Sequence, residues 1–356
     1  MRTNSFVFKP LVAGRYQTQW QAPSNIALVK YWGKYGKQLP QNPSISFTLS
    51  QCHTTTAVSF SPLKDGEGTF EFLFDHKKQP EFHPKIQQFL DRITPYFPAL
   101  QYHHLSISSQ NSFPHSSGIA SSASAMAALA LCIVDFEKQF HTDWTVEASH
   151  QKASFLARLG SGSAARSIAG PLMIWGQTNA FSHSDNHYAI APDLDWHPIF
   201  NDYQDTVLIV DKGQKKVSSS LGHGLMKGHP FATQRFEQAH SHLKQLKTAL
   251  LTGDLELFMN LTEAEALTLH AMMMSSNPRF ILMQPNTLAI LQKVQEFRIQ
   301  TQLPLCFTLD AGANVHLLYP LKDRIPIMEF IQKELTTHCQ NGQYIEDQVG
   351  NGAKKN

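Results

Sequence analysis

The chain has 356 residues, 42% of them hydrophobic, enough to bury a sizeable core in one large or two closely joined domains and too apolar for extended disorder. Its 30 Lys and Arg against 28 Asp and Glu leave a net charge of +2, without the basic excess by which counterion release drives nucleic-acid binding, so no nucleic-acid partner is expected. Four dispersed cysteines with no CxxC pair, a start from Met1 to Tyr16 without a secretory apolar stretch, and a longest apolar run (Ala125 to Val134) of half a membrane span lead to the expectation of a soluble cytoplasmic protein with no membrane partner.

Thr54 to Phe60, Thr69 to Phe74 and His104 to Ser108 carry the alternation or the β-branched and aromatic content of strands, with a turn over Lys64 to Gly68 between the first two. From Ser121 to about Phe140 the chain is small and apolar on nearly every side, the composition of a helix packed deep in a core. A second helix, Val146 to Leu159, stops at Gly160, as expected of a glycine just past a helix end. A strand over Leu172 to Trp175, a surface excursion over Ser182 to Asp195 and a buried strand over Thr206 to Val210 follow, placing a domain boundary near residue 200. The second half reads as mostly helical: Phe231 to Leu251, Leu255 to Met274 and Thr287 to Gln300. A hairpin-like pair, Leu305 to Leu309 and Val315 to Tyr319, and a last helix over Ile327 to Thr337 complete it. The expected division is residues 1–200, residues 201–346 and a tail, 347–356, whose Gly, Asn and Lys content reads as disordered.

Four stretches carry chemistry. In PHSSGIASSASA, residues 114–125, a loop of small residues runs into the buried helix. Unpaired backbone N–H groups and the positive end of a helix dipole converge there, which suits a polyphosphate. Ser121 and Ser122 add hydroxyl donors or a magnesium ligand, although an ordinary Ser/Gly loop capping a helix has the same texture, and the GK[ST] ending of a Walker A loop is missing. In APSNIALVKYWGK, residues 22–34, Lys30 and Lys34 put cations beside two aromatic rings and a glycine, either an anion-holding strand end or two surface lysines. RLGSGSAARS, residues 158–167, is a glycine-rich turn whose Arg166 suits a bidentate carboxylate partner or an interdomain salt bridge. TLDAGAN, residues 308–314, ends a strand at Asp310 beside a flexible turn, a frequent place for a catalytic carboxylate and equally for a turn cap.

Taken together and in this order, NIALVKYWGK, SSGIASSASA, GSAARS and TLDAGAN resemble the diphosphomevalonate decarboxylases, a branch of the GHMP kinase superfamily, over nearly the whole chain from about Gln21 to Phe330. The resemblance implies an α+β fold of two domains with the active site in the cleft between them. It also implies an ATP-dependent reaction in which the 3-hydroxyl of mevalonate 5-diphosphate is phosphorylated, after which phosphate and carbon dioxide leave and isopentenyl diphosphate remains. Asp310 then matches the catalytic carboxylate that orients or deprotonates the 3-hydroxyl, Arg166 the grip on the C1 carboxylate, and Lys30 the cation near the transferred phosphoryl group. Tyr31, Lys34, Ser161, Ser163 and Ser219 fall to the substrate. Ser116, Ser117, Gly118, Ala120, Ser121 and Ser122 fall to the nucleotide phosphates, with Ser122 also a metal ligand. ATP and Mg2+ are the implied cofactors, and a homodimer the implied assembly.

Some positions depart from the family pattern. His115, Ser116 and Ser117 stand where the loop commonly has small apolar residues, and Ala313 stands where proline is usual. Ser220 stands where some bacterial members carry an arginine for the substrate diphosphate; Lys215, Lys216, His223 and Lys227 are candidates to replace it. Two rival readings follow: a decarboxylase or 3-kinase acting on mevalonate 5-phosphate or mevalonate, and a non-catalytic ligand-binding protein of the same fold. Asp310, Arg166 and Lys30 together argue against a pure 3-kinase.

Overall fold

The computed structural model describes residues 14–63, 68–114, 119–141, 143–212 and 219–356, without the side chains of residues 219 and 220. Most of the turn expected over Lys64 to Gly68 lies outside them, as do the loop residues His115, Ser116, Ser117 and Gly118.

The first half begins with β1 (Tyr16–Val29), the small hairpin β2 (Lys34–Tyr35) and β3 (Leu39–Pro40), and β4 (Ser44–Pro62). Next come β5 (Thr69–Phe74), β6 (Lys77–Lys78), α1 (His83–Ile93) and β7 (His103–Asn111), which inserts between β4 and β5. After α2 (Ser121–Lys138) and α3 (Val146–Gly160), β8 (Leu172–Trp175) pairs with the start of β4 and β9 (Ala189–Ile190) pairs with β8. Pairing in this sheet is antiparallel except between β5 and β7. From Thr54 to Phe60, β4 alternates buried and half-buried residues, the expected signature of a strand with one covered face. From Ser44 to Leu49 it is buried on both faces, because the second half of the chain covers the other side. β1 lacks a clean alternation: its pairing with β4 slips between Pro23 and Asn25 and again between Ala27 and Val29.

α2 is buried along most of its length against β1, β4 and α3, its alanines letting the backbone sit close to the sheet. α1 turns Ile86, Phe89, Leu90 and Ile93 inward at helical spacing. Gly160 has a packing role rather than a left-handed one: it is the last residue of α3, and a Cβ there would meet Met126 Sδ at 2.6 Å and Phe89 at 2.8 Å.

The second half holds β10 (Gln204–Leu208), α4 (Ser219–Gly224), α5 (Ala232–Thr252), α6 (Leu255–Met274), α7 (Pro285–Thr301), β11 (Cys306–Leu309), β12 (Val315–Tyr319), α8 (Arg324–Phe330) and β13 (Tyr344–Gln348). The expected last helix is α8 continued by a π-helical turn, Ile331–Leu335. The sheet order is β11-β12-β10-β13, all antiparallel. One apolar cluster spans both halves, packing Ile26, Ile45 and Phe47 with Val207, Leu243 and Phe258, so the cleft between the halves has a rigid floor.

The tail corrects an expectation. Residues 347–356 are not a disordered end but a seam that closes the first sheet. The Asp347 carboxylate accepts the backbone N–H groups of Ser50, Gln51 and Cys52 at 2.9, 2.8 and 2.7 Å. Thr48 Oγ1 donates to the Gly350 carbonyl at 2.6 Å, and β14 (Lys354–Lys355) pairs with Trp20 and Gln21 of β1. The glycines that make the composition look solvated serve close approach instead: a Cβ on Gly350 would lie 2.7 Å from Ser50 Cα.

Candidate active site

Where β1 ends, the chain turns into the cleft at Lys30, and its backbone is clamped from the second half. Glu265 Oε2 accepts the Lys30 N–H at 2.8 Å, and Arg235 donates to the Lys30 carbonyl at 3.1 Å and to the two Glu265 oxygens at 2.9 and 2.6 Å. Held there, Lys30 Nζ lies 3.3 Å from Asp310 Oδ1. Burial pushes the Lys30 ammonium pKa down, against the pull of Asp310 and Glu265.

Asp310 follows the end of β11. Its carbonyl accepts from His270 Nε2 at 3.1 Å and from the Gly312 N–H at 2.7 Å, which fixes the turn. Burial pushes His270 down to about 4, so at neutral pH the ring is uncharged and carries its hydrogen on the bonded Nε2.

Arg166 sits in the turn Gly162–Ser167 beyond α3 and is 2% exposed. Its Nε donates to Ser46 Oγ at 3.1 Å, its Nη1 to Ser44 Oγ and its Nη2 to Asn25 Oδ1 at 3.4 Å. All three acceptors are neutral, and among the described residues no carboxylate forms an ion pair with it. Burial pushes its pKa down to about 10, with Asp310 opposing, so it is charged at neutral pH. A buried guanidinium without a counter-ion is costly, and an anionic ligand would offset that cost.

Lys30, Arg166 and Asp310 line one recess with Asn25, Tyr31, Trp32, Ala120, Ser122, Ser163 and His223. A second recess opens beside it, lined by Tyr31, Lys34, Gln38, Lys85, Arg92, Ser122, Ser161, Ser163 and His223; among the described residues its wall holds three cations and no acid. Lys34 Nζ bonds Gln38 Oε1 at 2.8 Å, and Arg92 Nη1 donates to the Leu159 carbonyl at 2.8 Å. Gly162 is obligatory here, since a Cβ would meet the Tyr31 ring at 2.8 Å. A third recess, of about 610 Å³, is walled by Phe72, Phe74, Phe82, Ile86, Ile107, Met126 and Leu129, with Ser121 and Ser122 also in its lining. Ala120, at φ +43°, precedes α2 without a side-chain cap; its carbonyl accepts the Ala123 N–H at 2.7 Å, so among the described residues the Ser121 and Ser122 N–H groups are the ones open to a ligand. Ser122 lines all three recesses, its Oγ 3.3 Å from Ser161 Oγ.

The structure thus brings together Lys30, Tyr31, Ala120, Ser122, Ser163, Arg166 and Asp310, places Lys34 and Ser161 in the adjoining recess, and Ser121 in the apolar one. Ser116, Ser117 and Gly118, and the side chain of Ser219, lie outside the described residues. Among the described residues no group of three or more His, Cys, Asp or Glu could hold a metal ion, and no helix is long and apolar enough to cross a membrane. Residues that sequence reasoning missed are Asn25, Lys85, Arg92 and His270, together with the Arg235–Glu265 clamp. Asn25 lay inside a quoted motif, and Lys85 and Arg92 recur at i and i+7 on α1, a spacing that puts them on one face.

An open helix N-terminus beside an apolar slot, facing a second domain that contributes an aspartate to a shared cleft, defines a two-domain enzyme of the GHMP kinase fold. Residues 22–187 match the model of the diphosphomevalonate decarboxylase-like N-terminal domain, and residues 206–355 that of the mevalonate 5-diphosphate decarboxylase C-terminal domain. The chain belongs to the diphosphomevalonate decarboxylase family. It is 30% identical to the diphosphomevalonate decarboxylase of Ganoderma lucidum, over 89% of this chain and 82% of that one. It is 28% identical to the phosphomevalonate decarboxylase of Haloferax volcanii, over 82% of this chain and 84% of that one. Among solved structures, that of MDDEF in complex with MVAPP, AMPPCP and magnesium matches it with a TM-score of 0.82 at 27% identity, over 96% of this chain and 99% of that one.

Proposed function

We propose that the cleft carries out the ATP-dependent decarboxylation of mevalonate 5-diphosphate, giving isopentenyl diphosphate, ADP, phosphate and carbon dioxide. The observation that carries this reading is Arg166, a buried charge that forms no ion pair with a carboxylate among the described residues and shares a recess with the Lys30–Asp310 pair. It suits a substrate that brings its own carboxylate.

ATP supplies the phosphoryl group that turns the 3-hydroxyl into a leaving group. The apolar recess fits its base, and the start of α2 with Ser121 and Ser122 fits its phosphates, where Ser122 would be a ligand of the accompanying Mg2+; Ser116, Ser117 and Gly118 are assigned to the same phosphates by the resemblance alone. Asp310 accepts the hydrogen of the 3-hydroxyl and directs its oxygen. Lys30 Nζ, 3.3 Å from that carboxylate, opposes the negative charge that develops at the transferred group. Arg166 holds the C1 carboxylate ionised and in place. When phosphate departs C3 with its bonding pair, the C1–C2 pair becomes the C2–C3 double bond and carbon dioxide leaves. Lys34, Lys85 and Arg92 receive the 5-diphosphate beside Tyr31, Ser161 and Ser163; Ser219 is assigned to the substrate by the resemblance alone. On this reading residues 1–200 bind the nucleotide, residues 201–346 supply Asp310, and the enzyme works in the cytoplasm as a homodimer.

A second reading, decarboxylation of mevalonate 5-phosphate, is favoured by the likeness to the phosphomevalonate decarboxylase of Haloferax volcanii and by Ser220, which stands where the resemblance implies an arginine for the diphosphate in some bacterial members. A steady-state assay with ATP and magnesium decides, offering mevalonate, its 5-phosphate and its 5-diphosphate in parallel and following ADP and carbon dioxide. Equal amounts of both from the diphosphate alone support the main reading. Preference for the monophosphate moves the enzyme to the second, and ADP without carbon dioxide excludes both.

A further inference from the structure

His223 stands at the junction of the substrate recess and the cation-lined recess and lines both. It belongs to α4, which packs so tightly on Trp32 that a Cβ on Gly222 would come within 2.7 Å of the indole. The imidazole lies against Tyr31 at a centroid distance of 4.1 Å and against Trp32 at 4.7 Å, so neither of its ring torsions is free. The residue is 8% exposed. Its Nδ1 accepts the Gly33 backbone N–H at 3.0 Å, and Gly33 is itself locked: it has φ +96°, and a Cβ there would meet Phe236 at 3.0 Å.

With Nδ1 engaged as an acceptor, the hydrogen of the neutral ring sits on Nε2, which has no protein partner among the described residues. Burial, with Lys34 and Arg166 adding to it, pushes the ring down to about 3, so its form does not change across the physiological range. The result is a rigid, uncharged donor among cations.

Resting on the reading proposed above, we infer that His223 is a specificity-determining residue that donates its Nε2–H to an oxygen of the substrate phosphate nearer the carbon skeleton. A substrate with its carboxylate at Arg166 and its 3-hydroxyl at Asp310 must pass this junction to reach Lys34, Lys85 and Arg92. A neutral donor adds direction at that point without further charge to be buried, and His223 supplies a contact at the phosphate where Ser220 offers no guanidinium.

The test compares wild type, His223→Met and His223→Gln by calorimetric binding of mevalonate 5-diphosphate and of mevalonate, and by steady-state kinetics. Methionine fills the space without a donor; glutamine can accept from Gly33 and donate to the ligand at once. The Met variant is expected to raise Kd and KM for the diphosphate by about 10-fold to 100-fold, the scale of one hydrogen bond to a charged group, with a much smaller fall in kcat. Affinity for mevalonate, KM for ATP and the unfolding temperature should move little, and the Gln variant should recover most of the loss. Unchanged diphosphate affinity in the Met variant overturns the inference, as does an equal loss for mevalonate and ATP, which marks a purely structural role. Wild type failing to turn over the diphosphate is a separate failure, that of the proposed reaction.

Discussion

Arg235 and Arg166, two of three arginines that are each 2% exposed, are held in opposite ways. Arg235, on α5, meets both oxygens of Glu265, which also accepts from His242 Nδ1 at 2.7 Å and from the Lys30 N–H. Burial tends to raise the Glu265 pKa, but Arg235, His242 and the Lys30 amide outweigh it and hold the carboxylate below its ordinary value. Arg166 meets two serine hydroxyls and an asparagine oxygen. The first charge is satisfied by the fold and serves to hold the Lys30 backbone; the second is oriented by the fold and left for a ligand. Burial alone says nothing of function. What distinguishes the two is whether the protein itself provides the counter-charge.

The sharpest use of the comparison starts beside Arg166. On the proposed reading Asp310→Ala removes the group that handles the 3-hydroxyl, and kcat is expected to fall about 10³-fold to 10⁴-fold, the upper range for a general base, while nucleotide binding persists. A near-normal rate sinks the catalytic assignment. Replacing each arginine by methionine then sets the two sites against each other. Arg235→Met strands Glu265 in the core and should cost about 3–5 kcal/mol in urea unfolding. Arg166→Met strands no carboxylate, so stability should change by no more than about 1 kcal/mol, while kcat falls about 10²-fold to 10³-fold through loss of one preorganised charged contact. If the stability effects came out equal, the division between structural and functional charge would fail.

The strings around Lys30, Arg166 and Asp310 are local, and the residues they carry line one recess. The clamp behind them is not local: Arg235 and Glu265 lie 205 and 235 positions from Lys30, on helices whose other polar residues look like a solvated face. Long, evenly buried helices are legible, and α6 spans Leu255–Met274 as its composition predicts. β1 is not, because two slips in register and Ser24 and Asn25, buried toward the cleft, break its alternation. α1 escapes notice because it is short and opens with His83 and Pro84, though its apolar spacing is plain. The tail misleads because glycine reads as freedom when here it marks backbone in contact with backbone.

The tail also supplies a third kind of charge, less buried than either arginine. Asp135, at the end of α2, accepts from Tyr16 Oη at 2.7 Å and Thr18 Oγ1 at 2.6 Å, and pairs with Lys355 Nζ of β14 at 2.8 Å. Burial raises its pKa, but Lys355, Thr18 and Tyr16 together outweigh that and hold it below the usual carboxylate value. A depressed folded pKa means that the stabilisation is present above the unfolded value, about 3.9, and is lost as pH falls through the folded one. Asp135→Asn should therefore cost about 1 kcal/mol at pH 7, a small figure because Lys355 is half exposed and solvent screens the pair. The gap between variant and wild type, followed by urea unfolding, should close as pH falls below about 4. A loss as large as that of Arg235→Met would show the seam to be part of the core. No loss at all would leave the order of the tail to Asp347 and its three amides, which no solvent screens as effectively.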